Sequence, residues 1–203
     1  MLDVRASAIE PEPVFEWARA DAAAVGTVTH RHLARLSRAA GGGFDPARLD
    51  ELRSRIRADL AAEGVDPATL DKATDDVVAA LLAVHRDERG QWLFDLSHAD
   101  AVSEWALAGE DQGAVVHVTL DRSFVSGGVR WIVDFKTGRH EGANTNAFLD
   151  REVERYRPQL ERYARIVRAI DSRPIRLALY YPLVKGGWRE WPFDLPGTQA
   201  KLF

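Results

Sequence analysis

The chain has 203 residues, of which 46% are apolar and 29% are charged, and its formal net charge at pH 7 is −4. These values are typical of a globular protein with a full hydrophobic core, most simply a single domain. The absence of cysteine excludes disulfides, thiolate zinc sites and iron–sulfur clusters, and it suits the reducing cytoplasm. No apolar run approaches about 18 residues and no signal-peptide pattern is present, so we predict a cytoplasmic protein that neither spans a membrane nor is secreted.

The charge distribution along the chain is uneven. The strongly basic composition that is typical of proteins binding nucleic acids over a whole surface is not present. Residues 151–168 nevertheless carry six arginines and three glutamates. A local basic face of this kind can bind phosphates on a protein that is acidic overall. A solvated helix face with internal ion pairs explains the same residues equally well.

The first half of the chain is predicted to be helical. Residues 1–13 contain two prolines and no apolar periodicity, which is typical of a linker. A helix is predicted from about residue 14 to residue 40, interrupted or bent near Gly26. Asp45-Pro46 and Asp66-Pro67 each place a capping carboxylate before a proline, which predicts two further helix starts. The apolar stripes of these two helices are Leu49, Leu52, Ile56 and Leu60, and Leu70, Ala73, Val77, Leu81 and Val84.

Beyond Gly90 the apolar period changes from that of a helix to that of strands. The predicted elements are strands at Ser103–Leu107, Ala114–Phe124 and Trp131–Lys136, a helix at about Phe148–Ile170, and strands at Ile175–Tyr181 and Trp188–Trp191. A turn at Ser126–Gly128 joins the second and third strands, so the first three strands form a meander. The chain is therefore predicted to be an α/β protein of one domain at 14–203, with a helical part at 14–88 and a core at 89–203.

The third predicted strand carries charge in the middle of a strong strand pattern. Its large apolar residues share one face, and they are Trp131, Val133 and Phe135. Asp134 and Lys136 share the opposite face, about 6–7 Å apart along the strand. This pair is either a structural ion pair or part of a site that binds a metal and a phosphate.

Asp121 and Asp134 are predicted near the ends of neighbouring strands joined by a tight turn. Because paired strands lie about 4.8 Å apart, the two carboxylates can approach one ion. A hard divalent cation relieves the repulsion between carboxylates and accepts substrate phosphate oxygens. With Lys136 positioning or deprotonating water, or stabilising developing charge, the set suits metal-assisted hydrolysis of a phosphodiester. Two surface aspartates and a solvated lysine explain the spacing equally well.

Asp121 followed by Asp134-Phe-Lys136-Thr resembles the PD-(D/E)XK nuclease signature in its RecB-type form. Three further segments match that family in the same order along nearly the whole chain. Gly26-Thr-x-x-His30 resembles the helix motif that brings a histidine to the metal in RecB and AddA nuclease domains. Glu104 resembles the upstream glutamate of the family, and Gln159-Leu-x-x-Tyr163-Ala resembles its helix over the active site.

The resemblance implies a fold and a metal site. The fold would be restriction-endonuclease-like, an αβββαβ core with a mixed central sheet and an N-terminal helical part. The metal would be Mg²⁺, with Mn²⁺ as a substitute. The side chains of His30, Asp121 and Asp134 and the backbone carbonyl of Phe135 would hold it.

The resemblance also implies roles for further residues. The catalytic set would be Asp121, Asp134, Lys136, Glu104, Gln159 and Tyr163. Lys136 would be the catalytic lysine, and Gln159 and Tyr163 would orient substrate or water. Glu104 is equally a third acid, for a second metal, or a structural partner of a basic residue. Tyr156 and Tyr163 also continue the apolar stripe of the long helix, so packing is their default role.

The histidines have competing interpretations. The spacing from Gly26 favours His30 over His32 as the metal ligand, although a histidine beside an apolar stripe is more often a core or surface residue. His117 is predicted to lie too far along its strand to bind the ion. His140 is predicted to be a solvated loop residue that could contact DNA.

The motifs together predict a metal-dependent deoxyribonuclease. It would be similar to the C-terminal nuclease domains of UvrD/Rep-type helicase–nucleases, such as the exonuclease V β-subunit and AddA. Such a domain would degrade single-stranded DNA delivered by a linked helicase during double-strand-break repair and recombination. The chain contains no Gly-x-x-x-x-Gly-Lys-Ser/Thr motif, so the motor would lie elsewhere in the same or a partner polypeptide. The alternatives are a non-catalytic nucleic-acid-binding module of this fold and a stand-alone endonuclease.

Overall fold

The structure, a computed structural model, describes residues 13–38, 49–140 and 142–194, with the side chains of the first helix described from residue 20 to residue 37. The helices are α1 (Pro13–Arg38), α2 (Leu49–Ala62), α3 (Leu70–Arg86), α4 (Glu88–Leu93) and α5 (Thr145–Arg168). The strands are β1 (Ala99–Asp111), β2 (Ala114–Ser126), β3 (Val129–Phe135), β4 (Ile175–Tyr180) and β5 (Trp188–Phe193).

The five strands form one mixed sheet in the order β1-β2-β3-β4-β5. The pairs β1–β2, β2–β3 and β4–β5 are antiparallel, whereas β3 and β4 run parallel. Parallel neighbours require a crossover connection, and the long helix α5 supplies it. The element order confirms the predicted α/β class and the αβββαβ core with helices in front.

Helices cover both faces of the sheet because β3 is apolar on both sides. Trp131, Val133 and Phe135 belong to the core formed with α1–α4, whereas Ile132 belongs to the core formed with α5. The α2 and α3 stripes lie in the first of these cores as predicted, and their buried members are Ile56, Leu60, Leu70, Ala73, Val77, Leu81 and Val84. Among the helices that the structure describes, none combines the length and apolar character needed to cross a membrane.

Polar contacts at both ends fix helix α5 across the sheet. At its start, the side chain of Asn144 accepts a 3.0 Å hydrogen bond from the backbone N–H of Ala147, which is an N-cap. Near its end, the carboxylate of Asp111 at the tip of β1 pairs with Arg162 at 3.2 Å and Arg165 at 2.6 Å. The middle of the helix is thereby held over the carboxyl end of β3.

Two predicted features of the helices are wrong. Helix α1 runs through Gly26 without the predicted interruption, and the residue faces the loop after β3, where a Cβ would lie 3.5 Å from Thr137 Oγ1. Helix α3 begins at Leu70 rather than at the proline after Asp66. The carboxylate of Asp66 instead accepts a 2.7 Å hydrogen bond from the N–H two residues later, so it forms a turn before the helix. The predicted linker before Pro13 and the first predicted cap, at 45–46, lie outside the described residues.

The predicted change from helix to strand at Gly90 is also wrong, because α4 occupies this position and β1 begins only at Ala99. A Cβ on Gly90 would lie 2.0 Å from the carbonyl oxygen of Val84, so the two helices approach too closely for a side chain. Strand β1 is longer than predicted because it pairs with β2 up to the turn that joins them, with Asp111 opposite Ala114. Asp121 lies inside β2 rather than near its end, immediately before the regular ladder with β3 begins.

Candidate metal centre

Three neighbouring strands bring acidic side chains to one level of the sheet. In the β2–β3 ladder, Asp121 lies opposite Asp134, one step beyond the last regular pair. In the β1–β2 ladder, Glu104 lies opposite Asp121, between two regular pairs. Glu104 has a left-handed backbone with φ of 51°, which distorts the edge strand at this point. Because opposite residues of antiparallel strands project from the same face, the register brings these carboxylates together.

His30 reaches the same place from helix α1. Its Nδ1 lies 3.3 Å from Asp121 Oδ1, and its Nε2 lies 3.0 Å from the carbonyl oxygen of Phe135. The backbone N–H of Phe135 donates a 2.7 Å hydrogen bond to Asp121 Oδ2. Burial lowers the pKa of His30, but the hydrogen bond and charge of Asp121, with the charges of Asp134 and Glu104, raise it above 6.5 overall. The surrounding negative charges therefore favour positive charge at the position of the His30 imidazole.

The donor atoms of His30, Glu104 and Asp121 all lie within 4.8 Å of one another. Neighbouring ligands of an octahedral Mg²⁺ ion are about 3 Å apart. The separation of 3.3 Å between His30 Nδ1 and Asp121 Oδ1 is similar to that spacing, whereas the Phe135 carbonyl oxygen lies beside the other ring nitrogen, Nε2. Carboxylate, carbonyl and imidazole groups are ligands for hard and borderline divalent ions, so these residues fit such an ion.

Asp134 lies beside this group, with its carboxylate turned toward α5. Its Oδ2 is 2.8 Å from Lys136 Nζ, and its Oδ1 is 3.4 Å from Gln159 Nε2. Oδ2 is buried, and the Lys136 ammonium is its ion-pair partner. Burial, and then the charge of Asp121, raise the pKa of Asp134 to about 6. The buried carboxylate is therefore held beside the cation of Lys136, and it lies opposite Asp121 in the β2–β3 ladder.

The ammonium group of Lys136 is held between a carboxylate and an aromatic ring. Its Nζ lies 3.9 Å from the centroid of the Tyr156 ring, which is a cation–π contact. Burial lowers the pKa of Lys136, but the charge and hydrogen bond of Asp134, with smaller effects of Tyr156 and Asp121, raise it above 10.5 overall. Lys136 is therefore a cation at neutral pH, suited to donating hydrogen bonds and stabilising negative charge rather than to removing protons.

Helix α5 presents one face to the site. Tyr156, Gln159 and Tyr163 are spaced by three and four residues, which places them along that face. Gln159 Nε2 donates to Tyr163 Oη at 2.5 Å, so Tyr163 is linked to Asp134 through the amide of Gln159. Sequence reasoning assigned Tyr156 to packing, and it does pack against the α5 core, but its ring also contacts Lys136. The helical spacing from Gln159 was the signal that could have placed it at the site.

The other candidate histidines lie elsewhere. His32 is 2% exposed and pairs with a carboxylate of α2 at 3.0 Å, away from the donor group. His117 is exposed on β2. His140 stacks on an aromatic ring of α5, with the ring centroids 4.5 Å apart. Of the four histidines considered, the structure brings His30 to the acidic residues.

The site therefore combines oxygen and nitrogen donors, a fixed cation and a helix that closes one side. A comparison with models of protein families matches residues 6–191 to the PD-(D/E)XK nuclease superfamily. The matched range contains every element that contributes a residue to the candidate metal centre. A search of curated proteins finds no match. Because the family match covers nearly the whole chain, the chain belongs to the PD-(D/E)XK nuclease superfamily.

Proposed function

We propose that this chain is a Mg²⁺-dependent deoxyribonuclease that hydrolyses phosphodiester bonds in single-stranded DNA. Membership of the superfamily supports a metal-dependent nuclease. The observation that carries the proposal is that two groups lie side by side. One is the donor cluster of His30, Glu104 and Asp121, and the other is the Asp134–Lys136 ion pair. A degraded copy of the fold would not need to keep both groups in contact.

The proposed metal ligands are the side chains of His30, Asp121 and Asp134 and the carbonyl oxygen of Phe135, and Glu104 is close enough to join them. The position of Asp134 opposite Asp121 in the β2–β3 ladder supports its place in this ligand set. A bound divalent ion would acidify water and stabilise charge on the phosphoryl oxygens. Mg²⁺ is proposed because it prefers oxygen ligands and substrate phosphates, and Mn²⁺ is expected to replace it.

The chain's own residues have separate tasks in this scheme. Lys136 stays protonated and stabilises the negative charge that develops on the phosphoryl group. Asp134 and Tyr156 hold the ammonium in place. Phe135 fixes Asp121 through its N–H, and Gln159 donates to Asp134 Oδ1.

The biological setting is proposed from the narrower resemblance. The Gly26–His30 and Gln159–Tyr163 segments resemble motifs of RecB- and AddA-type domains, and they carry the histidine beside Asp121 and the amide beside Asp134. We therefore infer that this chain works with a UvrD/Rep-like helicase in cytoplasmic DNA repair and recombination, in the manner of exonuclease V. The motor would lie in the same or a partner polypeptide.

The test is cleavage of labelled single- and double-stranded DNA with Mg²⁺, Mn²⁺ or EDTA. We expect cleavage with either metal, faster on single strands, and none with EDTA. Asp134→Ala and Lys136→Ala should each lower the rate at least about a hundredfold, because both remove charge stabilisation at the reacting phosphate.

Two exposed residues provide matched controls. Asp75→Asn and Lys185→Ala change charge in the same sense at exposed positions outside the donor group, so their rates should stay near that of the wild type. Metal-independent cleavage, or equal rates in all variants, would show that the donor cluster is not the catalytic site. DNA binding without cleavage under any metal would favour the non-catalytic module instead.

A further inference from the structure

A cavity of about 460 Å³ opens beside the candidate metal centre, between α1 and the edge strand β1. Its lining consists of Thr27, His30, Arg31, Ala34, Arg35 and Glu104. Two of these residues, His30 and Glu104, also belong to the donor cluster, so the cavity begins at the metal centre. The rest of its charged lining comes from the two arginines.

Arg31 and Arg35 lie one helical turn apart on α1, and each is anchored by one acid from α2 or its C-terminal end. Arg31 Nη2 donates to Glu63, and Arg35 Nη1 donates to Asp59 Oδ2 at 2.7 Å. A guanidinium has five N–H donors in a planar fork. The side chains remain 37% and 46% exposed, so N–H groups that these pairs leave unused are open to a ligand.

The cavity thus has metal ligands at one end and two positively charged forks at the other. A ligand that fills the cavity must be anionic at the arginine end. It must also be covalently connected to the group that lies at the metal. A guanidinium fork binds phosphate oxygens through charge-assisted, paired hydrogen bonds. A nucleic-acid strand meets both conditions, because a phosphate lies on each side of the bond that is cut.

We propose that Arg31 and Arg35 bind the backbone phosphate next to the scissile one. This inference rests on the proposed nuclease function and deepens it, since it makes a polynucleotide, rather than an isolated phosphodiester, the preferred substrate. The acids that anchor the arginines orient them and also compete with the phosphate for the same donors.

The competition separates ligand binding from a merely structural role. If Arg31 binds phosphate, Arg31→Gln weakens DNA binding, whereas Glu63→Gln strengthens it because the guanidinium is released. If Arg31 only holds α1 to α2, both substitutions break the same ion pair and act in the same direction. The matched control is the ion pair of Arg53 and Asp75, at 2.5 Å, which joins α2 to α3 and does not line the cavity.

The experiment measures the Kd of a labelled short oligothymidine by fluorescence anisotropy, with Ca²⁺ and with EDTA, at several salt concentrations. We expect Arg31→Gln and Arg35→Gln each to raise Kd about fivefold and to reduce the salt slope by about 0.7, the value for one lost phosphate contact on a single strand. Glu63→Gln should lower Kd, Arg35→Lys should keep it within about threefold of the wild type, and Arg53→Gln and Asp75→Asn should change it less than about twofold.

A kinetic measurement complements the binding data. Cleavage of the oligonucleotide should fall at least about fivefold more in the arginine variants than cleavage of bis(p-nitrophenyl) phosphate, which has a single phosphate. Thermal melting checks that each variant is folded. Equal losses on both substrates, or Kd increases for both Arg31→Gln and Glu63→Gln, would overturn the site. If the wild type cleaves neither substrate but the Kd values change as expected in the variants, the nuclease proposal is refuted and the phosphate site remains.

Discussion

Asp121 Oδ2 accepts a 2.7 Å hydrogen bond from the backbone N–H of Phe135, so strand β3 fixes the orientation of a carboxylate on strand β2. The carbonyl of Phe135 lies 3.0 Å from His30 Nε2 on helix α1. One peptide segment therefore aligns a carboxylate and an imidazole from two other elements. This arrangement depends on backbone atoms, and it should tolerate exchange of the Phe135 side chain better than exchange of Asp121.

Replacing Asp134 with asparagine should stabilise the metal-free protein while abolishing cleavage. Burial, and then the charge of Asp121, raise the pKa of Asp134 from 3.8 to about 6, so its ionisation opposes folding by an amount that grows above pH 3.8 and is complete above about pH 6. In EDTA at pH 8 we expect Asp134→Asn to raise the free energy of unfolding by about 1–3 kcal/mol. The gain should shrink as the pH falls from 6 toward 3.8, because the wild-type carboxyl is then protonated in the folded protein and increasingly so in the unfolded chain.

Urea unfolding of both proteins at pH 8 and pH 4.5 measures this difference. A variant that is less stable than the wild type at pH 8 would mean that the ion pair with Lys136 outweighs the burial of the charge. The same variant should show no stabilisation by added Mn²⁺, whereas the wild type should gain stability.

Removing the aromatic ring next to Lys136 should slow cleavage without unfolding the protein. Because a cation–π contact stabilises by about 0.5–2 kcal/mol, Tyr156→Leu should lower kcat about three- to thirtyfold, whereas Tyr156→Phe should stay within about twofold of the wild type. Steady-state kinetics measure both. In a Lys136→Met background, Tyr156→Leu should have little further effect, and an undiminished effect there would assign Tyr156 to packing alone.

The contact between Lys136 and Tyr156 could not be predicted from the sequence, whereas the shared strand face of Asp134 and Lys136 could. Asp134 and Lys136 could be placed on one strand face because the alternation of β3 is local. The contact of Lys136 with Tyr156 depends on how α5 crosses the sheet, which no local pattern encodes. Glu104 is a similar case, since its left-handed backbone occurs in an edge strand whose register is set by tertiary packing.

The choice between His30 and His32 shows the same difference. Both follow Gly26 on one helix, and only the family motif distinguished them in the sequence. In the structure His32 is buried against α2, and the tight approach of α4 to α3 at Gly90 was equally invisible to periodicity. Elements and faces were predictable, therefore, and contacts between distant helices were not.

Burial of His32 should make stability fall at acidic pH. Burial, and then the charge of Arg35, lower the pKa of His32 below 6.5, so the unfolded chain binds its proton more readily than the folded protein. The free energy of unfolding is therefore unaffected by titration of His32 above pH 6.5. It falls as the pH drops below 6.5, by at most about 1.4 kcal/mol per pH unit.

Urea unfolding between pH 7.5 and pH 5 should therefore show a steeper loss for the wild type than for His32→Gln, which cannot take up the proton. Parallel curves for the two proteins would contradict a neutral, buried His32.

Two glycines in helices should respond to alanine in opposite ways. Gly90→Ala should destabilise the protein by more than about 2 kcal/mol, because its Cβ would lie 2.0 Å from the Val84 carbonyl oxygen. Gly26→Ala should be neutral or stabilising by up to about 1 kcal/mol, because its Cβ would meet only Thr137 Oγ1 at 3.5 Å. Thermal melting of the two variants measures the contrast, and similar melting temperatures would refute the close helix contact at Gly90.

The metal site is the central claim, because the roles of the acids, of Lys136 and of the neighbouring phosphate site all depend on it. Calorimetric titration of Mn²⁺ into the wild type and into Asp121→Asn tests it most directly. We expect saturable binding to the wild type and at least about a tenfold loss of affinity in the variant, which loses a ligand charge. If Mn²⁺ does not bind, or binds both proteins equally, the donor cluster of His30, Glu104 and Asp121 is not a metal site and the proposed nuclease mechanism is wrong.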